Sequence, residues 1–326
     1  MSRTGAGWAS DPPEAKIIGA LALGAASVAA IALLGDLLVE PGKPERKRGL
    51  SRPPRPSADE AKALHGSAAL LATSVLADSA VEHYRGGFEN PGMFTPLVVS
   101  ALTLAAGIDG MAAQRLPRRV RGGLYGLASG VGAGGVAFHV YNVLRRPGGL
   151  NWLNLFYAAP IGAPAALTMA GAIGLAADEV ASAPRPGRLK WFGLGVGRTL
   201  SALSALGLFG AVGEAGLMHF RGSFQNPFMW APVSLPPVAA ALMAKAALEP
   251  ARERTRPLTR AWLALTAALG LIGVGFHAYG VSRAMGGWRN WSQNLIDGPP
   301  LPAPPSFSAL ALAALAALKL RDLEDA

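Results

Sequence analysis

The chain has 326 residues, of which 51% are hydrophobic and only 15% charged, where an ordinary soluble domain carries roughly a quarter charged residues. It contains no cysteine, which excludes disulfides, thiolate metal sites, iron–sulfur clusters and cysteine nucleophiles and leaves His, carboxylate, Met and backbone as metal donors. The formal charge of +10 falls in short basic clusters between long apolar runs, a pattern of membrane topology and not of a nucleic-acid-binding face.

A helix needs about 20 mostly apolar residues to cross a bilayer. The first such run is Ile17 to Leu38. It exceeds a signal-peptide core, and cleavage after it would leave a basic segment outside, so it reads as a span within an N-terminal unit of residues 1–40. Residues 41–61 form a basic, Pro-rich linker that cannot build a core. Eight apolar segments follow, at about Leu64 to Tyr84, Met93 to Ile108, Gly122 to Leu144, Leu153 to Ala177, Trp191 to Phe220, Phe228 to Ala247, Ala261 to Val281 and Ser306 to Leu320.

Those eight segments read as two copies of four. The run His83-Tyr84-Arg85-Gly86-Gly87-Phe88-Glu89-Asn90-Pro91-Gly92-Met93-Phe94 returns without a gap as His219-Phe220-Arg221-Gly222-Ser223-Phe224-Gln225-Asn226-Pro227-Phe228-Met229-Trp230, offset by 136 residues (219 minus 83). Phe138-His139-Val140-Tyr141 with Arg145, Gly148-Gly149 and Asn151-Trp152 returns as Phe276-His277-Ala278-Tyr279 with Arg283, Gly286-Gly287 and Asn290-Trp291. Self-similarity at long period takes precedence over other fold arguments. The predicted fold is an all-α integral membrane protein of about nine spans: one N-terminal helix, a four-helix repeat over 62–180 and a second over 181–326. An even number of helices per repeat sends both copies into the membrane in the same direction.

Alternate loops differ in basic residues. One side takes twenty Lys and Arg: seven in 43–62, four in 115–121, three in 185–190, four in 252–260 and two in 319–321. The other side takes eight. The richer side is expected to be cytoplasmic, in a bacterial-type inner membrane, with the N-terminus outside and the C-terminus inside. All four repeated histidines then lie near the outer ends of their helices. Asn90-Pro91 and Asn226-Pro227 are expected to start the returning helices, with the Asn side chain capping free amides. Gly148-Gly149 and Gly286-Gly287 supply permissive backbone after a helix end. Trp152, Trp230, Trp288 and Trp291, with Tyr141 and Tyr279, read as an interfacial aromatic belt. The glycines 126, 130 and 134 form a small-residue ridge suited to helix packing.

Neutral imidazole ligates haem iron and divalent metals, so His83, His139, His219 and His277 are the candidate metal ligands. His65 has Ser201 at its counterpart position and is assigned no role. Asp78 and Glu214 precede the first histidine of each repeat by five residues, about 7.5 Å deeper along a helix. Carboxylates inside spans are costly and mark sites or proton paths, which makes these two the proton-path candidates. Glu82 has Met218 opposite and is left out of the shared design. Arg85, Arg221, Arg145 and Arg283 sit just beyond the histidines, where they would clamp haem propionates, an anionic substrate or lipid headgroups. The Gly-rich piece around Gly130 lies inside a span with no preceding strand and is no dinucleotide fingerprint. No serine, histidine and acid constellation and no nucleic-acid module is recognisable, so a catalytic role stays open.

Three functions fit. In the first, the outer histidines hold haem b or a divalent metal in a redox subunit that passes electrons between a quinone and a periplasmic redox partner. The second is a membrane transporter or channel, and the third is an anchor or docking subunit for a periplasmic protein. The lipid bilayer is the one partner common to all.

Overall fold

The structure, a computed structural model, describes residues 57–112, 114–158, 160–249 and 256–325. The expected span Ile17 to Leu38 and the linker up to residue 56 lie outside the described residues. Helix α1 (Ser57–Arg85) starts inside the predicted linker, where Asp59 and Glu60 in its first turn complement the exposed amides of a helix N-terminus. After a 3₁₀ turn (Pro91–Phe94) come α2 (Thr95–Met111), α3 (Arg118–Leu144), a short α4 (Trp152–Tyr157) and α5 (Gly162–Ser182). A two-strand hairpin, β1 (Lys190–Trp191) and β2 (Leu194–Gly195), pairs Lys190 with Gly195 and Trp191 with Leu194. Then follow α6 (Val196–Arg221), a 3₁₀ turn (Pro227–Trp230), α7 (Ala231–Ser234), α8 (Pro236–Leu248), α9 (Arg256–Arg283), α10 (Trp291–Asp297) and α11 (Pro305–Asp325).

Among the described residues, six segments are long and apolar enough to cross a membrane: α1, α2, α3, α6, α7 with α8, and α9, with the 3₁₀ turns counted into α2 and α7. The segments expected as the fourth span of each repeat, α5 and α11, are not among them. Both are central. Helix α5 lies against α1 and α3, and α11 against α6, α9 and α1. Covered by protein instead of lipid, they need small side chains more than hydropathy, and Ala170, Ala176 and Ala177 of α5 and Ala309, Ala311, Ala313, Ala314 and Ala317 of α11 are fully buried. Small residues let helix backbones approach closely, which is how helices associate where lipid supplies no hydrophobic drive. A methyl group at Gly171 of α5 would run into the backbone of Tyr125 and Ser129 on α3. In the same arrangement α1 is sheathed by its neighbours, with 83% of its most apolar window buried, whereas α3 has 17% and faces outward.

Three predicted segments are interrupted. The run from Leu153 is two helices, because Pro160 has no N–H to carry α4 into α5. The run from Trp191 begins as the hairpin, turned by Phe192 and Gly193 with positive φ, and the helix starts only at Val196. The run from Phe228 breaks at Leu235, where Pro236-Pro237 removes two donors. The ends of α1, α3, α6 and α9 meet the segments leading into α2, α5, α7 and α11, and these junctions hold all four repeated histidines.

Candidate functional site: two histidine pairs on one face

Each of the four histidines ends its helix by bonding the backbone of the segment that follows. His83 Nδ1 lies 2.5 Å from Met93 O, His219 Nδ1 2.8 Å from Met229 O and His277 Nδ1 2.7 Å from Pro300 O, and His139 Nδ1 bonds Pro160 O. A carbonyl only accepts, so Nδ1 carries the proton in all four rings and the neutral ring leaves Nε2 as a bare lone pair. A backbone carbonyl on the second nitrogen is the usual way of fixing the tautomer and orientation of a ligating imidazole. The His219 and His277 rings meet edge to face, with centres 6.5 Å apart and planes at 69°. His83 and His139 are near enough for their charges to interact.

The loops that carry these contacts are specified locally. Asn90 and Asn226 cap the 3₁₀ turns as expected, accepting from Gly92 N at 2.8 Å and Phe228 N at 3.0 Å. Gly148, Gly149, Gly286 and Gly287 all take positive φ, as the permissive-backbone reading requires. Two residues that sequence reasoning missed hold those glycine turns: Asn154 Nδ2 donates to Gly149 O at 2.7 Å and Asn294 Nδ2 to Gly287 O at 2.8 Å. Their signal was present as two buried-type amides a few residues after each repeated Asn-Trp.

Beside the first histidine of each pair sits an aromatic stack. Phe88 packs edge-on to His83 and stacks on Phe94 at 4.4 Å, and Phe224 does the same with His219 and Trp230 at 4.1 Å. To put the rings there, Phe88 and Phe224 adopt φ of 49° and 46°, a conformation bulky residues avoid. Ser223 is left-handed too, at φ 57°, where its counterpart is Gly87. A left-handed non-glycine residue costs about 1–2 kcal/mol, and the extra unfolded-state entropy of glycine returns about 0.4–1 kcal/mol of that. Ser223→Gly is thus expected to stabilise the protein slightly, by about 0.5 kcal/mol on these figures. A thermal melt in detergent tests it, and a lower midpoint for the variant would show that the turn is not strained.

The proton-path candidates, Asp78 on α1 and Glu214 on α6, come close to each other. Asp78 and Glu214 are close enough to sense each other's charge, and Glu82, which sequence reasoning set aside, joins them. Gly162, the first residue of α5, donates its N–H to Glu214, whose carboxylate fills the space a side chain there would need. Neither Asp78 nor Glu214 forms an ion pair among the described residues, while Glu82 is bonded by Arg85. The other candidate arginines point at rings: Arg221 lies 5.2 Å from the Tyr157 ring and Arg145 6.0 Å from that of Tyr141. Arg283 closes the last turn of α9.

No protein-family model, curated protein or solved structure matches the chain. Its chemistry is therefore argued from geometry alone. The four histidines come as pairs and not as a cluster, and among the described residues no three His, Asp or Glu side chains are grouped to hold a metal ion.

The opposite face holds a second polar cluster, which sequence reasoning did not assemble. His65 is fully buried on α1, with Nδ1 2.8 Å from the Tyr125 hydroxyl and Nε2 3.6 Å from Asp178 Oδ1. Arg121, counted above as a loop charge, is buried in α3 and bridges two acids: Nε donates to Asp178 Oδ1 at 2.7 Å and NH1 to Asp109 Oδ2 at 3.1 Å. Asp109 also accepts from the N–H groups of Arg115 and Leu116. Gly110 makes the room, since a methyl group there would overlap the His65 ring.

Proposed function

We propose that the protein is a membrane redox subunit in which the histidine pair of each half grips one haem b near the outer face, passing electrons between a lipid quinone and an extracytoplasmic partner. The observation behind this is the fourfold use of Nδ1 on a backbone carbonyl, which leaves the Nε2 of each ring free to ligate. Haem supplies four nitrogens of its own, so a pair suffices for it, whereas a divalent ion held by protein alone wants three or four donors. When bound, haem would supply a one-electron couple. The chain's own residues would orient the axial nitrogens, stack aromatic rings beside them and place Arg85, Arg145, Arg221 and Arg283 within the same face for propionates. The purified protein is expected to show a Soret band with α and β bands on reduction, together with iron by elemental analysis.

The wider architecture belongs to the same proposal: a duplication of four helices, preceded by one further span to make nine, with the halves related by an axis along the membrane normal. The basic loops put the histidine face outside a bacterial-type plasma membrane, the N-terminus outside and the C-terminus in the cytoplasm. A periplasmically active reporter is expected to work after Gly87 or Ser223 and to fail after Arg119 or at Ala326. The reverse result at two of those sites would overturn the orientation.

A second reading is favoured by one separate observation, the meeting of Asp78, Glu82 and Glu214 at the junction of the halves. Intramembrane acids at a repeat interface are where transporters bind cations or protons. Colourless, metal-free protein that moves a solute into liposomes would replace the redox reading by that one. Colourless protein without flux would leave a docking subunit.

A further inference from the structure

We propose that His65 and Asp178 form a proton-binding site at the face opposite the histidine pairs, in which one proton resides on Asp178 and is shared with His65 Nε2. Charge and hydrogen bonding both lead there. The cluster buries two carboxylates, Asp109 and Asp178, against the single guanidinium of Arg121, with side chains 12%, 4% and 6% exposed. An uncompensated charge in so apolar a place is removed by taking up a proton or a counter-ion. Among the described residues, the neighbouring cations Arg118, Lys319 and Arg321 are paired with other carboxylates, and of these Arg118 also acts on Asp178. Arg118 binds Glu179 at 2.7 Å near the surface, Lys319 of α11 lies 3.7 Å from Glu60 of α1, and Arg321 of α11 binds Glu324.

Two atoms of the cluster are buried without a hydrogen-bond partner, His65 Nε2 and Asp178 Oδ2. A buried polar atom left unpaired costs about 1–3 kcal/mol, and one proton satisfies both at once. The proton comes from the aqueous phase at this end of the bundle, forms an O–H bond on Asp178 and points at the Nε2 lone pair. The tautomer then follows: neutral His65 carries its own proton on Nδ1 and donates it to the Tyr125 hydroxyl oxygen 2.8 Å away. Net charge falls from −1 to zero. The oxygen 3.6 Å from Nε2 is Oδ1, which Arg121 already bonds, so a turn of the carboxyl group, or one water, brings the Oδ2–H to Nε2. The site exists in one half only, for Ser201, Thr259 and Leu263 occupy the counterparts of His65, Arg121 and Tyr125.

Infrared spectroscopy of the full-length protein at neutral pH tests this directly. One component of the protonated-carboxyl carbonyl stretch, shifted by exchange into heavy water, is expected to appear in the wild-type minus Asp178→Asn difference spectrum and to be retained in Asp109→Asn. Tyr125→Phe, which removes the oxygen that receives Nδ1–H, is expected to move the band without abolishing it. Identical spectra for the wild type and Asp178→Asn would overturn the proposal. If Asp178→Asn does not fold, nitrogen NMR of wild-type histidine decides instead, with the His65 signal assigned by its loss in His65→Gln. Protonation at Nδ1 with Nε2 as acceptor supports the site, and a proton resident on Nε2 next to an ionised Asp178 overturns it.

Discussion

His139→Ala should halve the haem content of the purified protein, and His83→Ala combined with it should remove nothing more. His83 and His139 belong to one half, His219 and His277 to the other, and the latter pair stand 6.5 Å apart in a geometry that needs no donor from elsewhere. Loss of one of the two imidazoles would leave the haem held by a single histidine, from which detergent and dilution should strip it. His277→Ala should remove the other half, and His139→Ala with His277→Ala all of it. Pyridine-haemochrome absorbance against protein concentration measures the fraction. If either single change removes all the haem, one site shared across the axis replaces the two-site arrangement. If all four single variants keep full absorbance, the Nδ1 bonds to Met93, Pro160, Met229 and Pro300 exist only to fasten loops, and the redox reading fails with them.

That last outcome matters because the same bonds serve both purposes. A histidine that closes a helix onto the next segment is already useful where free amides and carbonyls have to be paired before the chain re-enters lipid. What lifts the histidines above fastening is that the fastening nitrogen is the same in all four, and that the rings of His219 and His277 come into edge contact. The sequence carries the histidines and their turns plainly, because Asn-Pro and Gly-Gly act through their own backbone and need no distant partner. It does not carry the bend between Tyr157 and Gly162, because apolar residues on both sides of Pro160 read as one run. Nor does it mark α5 and α11 as central, since an alanine-rich helix looks the same beside lipid or protein until its neighbours are known.

The cluster around His65 was illegible for a related reason. Its members come from four helices, with His65 and Asp178 separated by more than a hundred residues, and each was individually ordinary. Arg121 stood in a run of four arginines that counted as a cytoplasmic loop, and nothing local separates it from Arg118 or Arg119. Only the packing of α3 on α5 tells them apart, by burying Arg121 between Asp109 and Asp178 while Arg118 pairs with Glu179 near the surface.

Removing that guanidinium should therefore cost far more than removing its neighbours. Arg121→Ala leaves two acids facing each other with no cation, and breaking a buried ion pair from one side destabilises by about 3–5 kcal/mol. Arg118→Ala removes a half-exposed pair whose contribution is about 0–1 kcal/mol. Lysine at 121 should recover only part of the loss, because one ammonium on a flexible stem cannot hold two carboxylates with the fixed fork that Arg121 uses. Asp109→Asn in the Arg121→Ala background should recover stability, since with the proton on Asp178 the unpaired charge lies on Asp109. Reversible unfolding in mixed micelles, followed by helical circular dichroism, measures each variant and the coupling between them. Equal losses for Arg121→Ala and Arg118→Ala would mean that water reaches the cluster. The net charge that calls for a proton on Asp178 would then be screened, and the infrared band assigned to that residue should be missing as well.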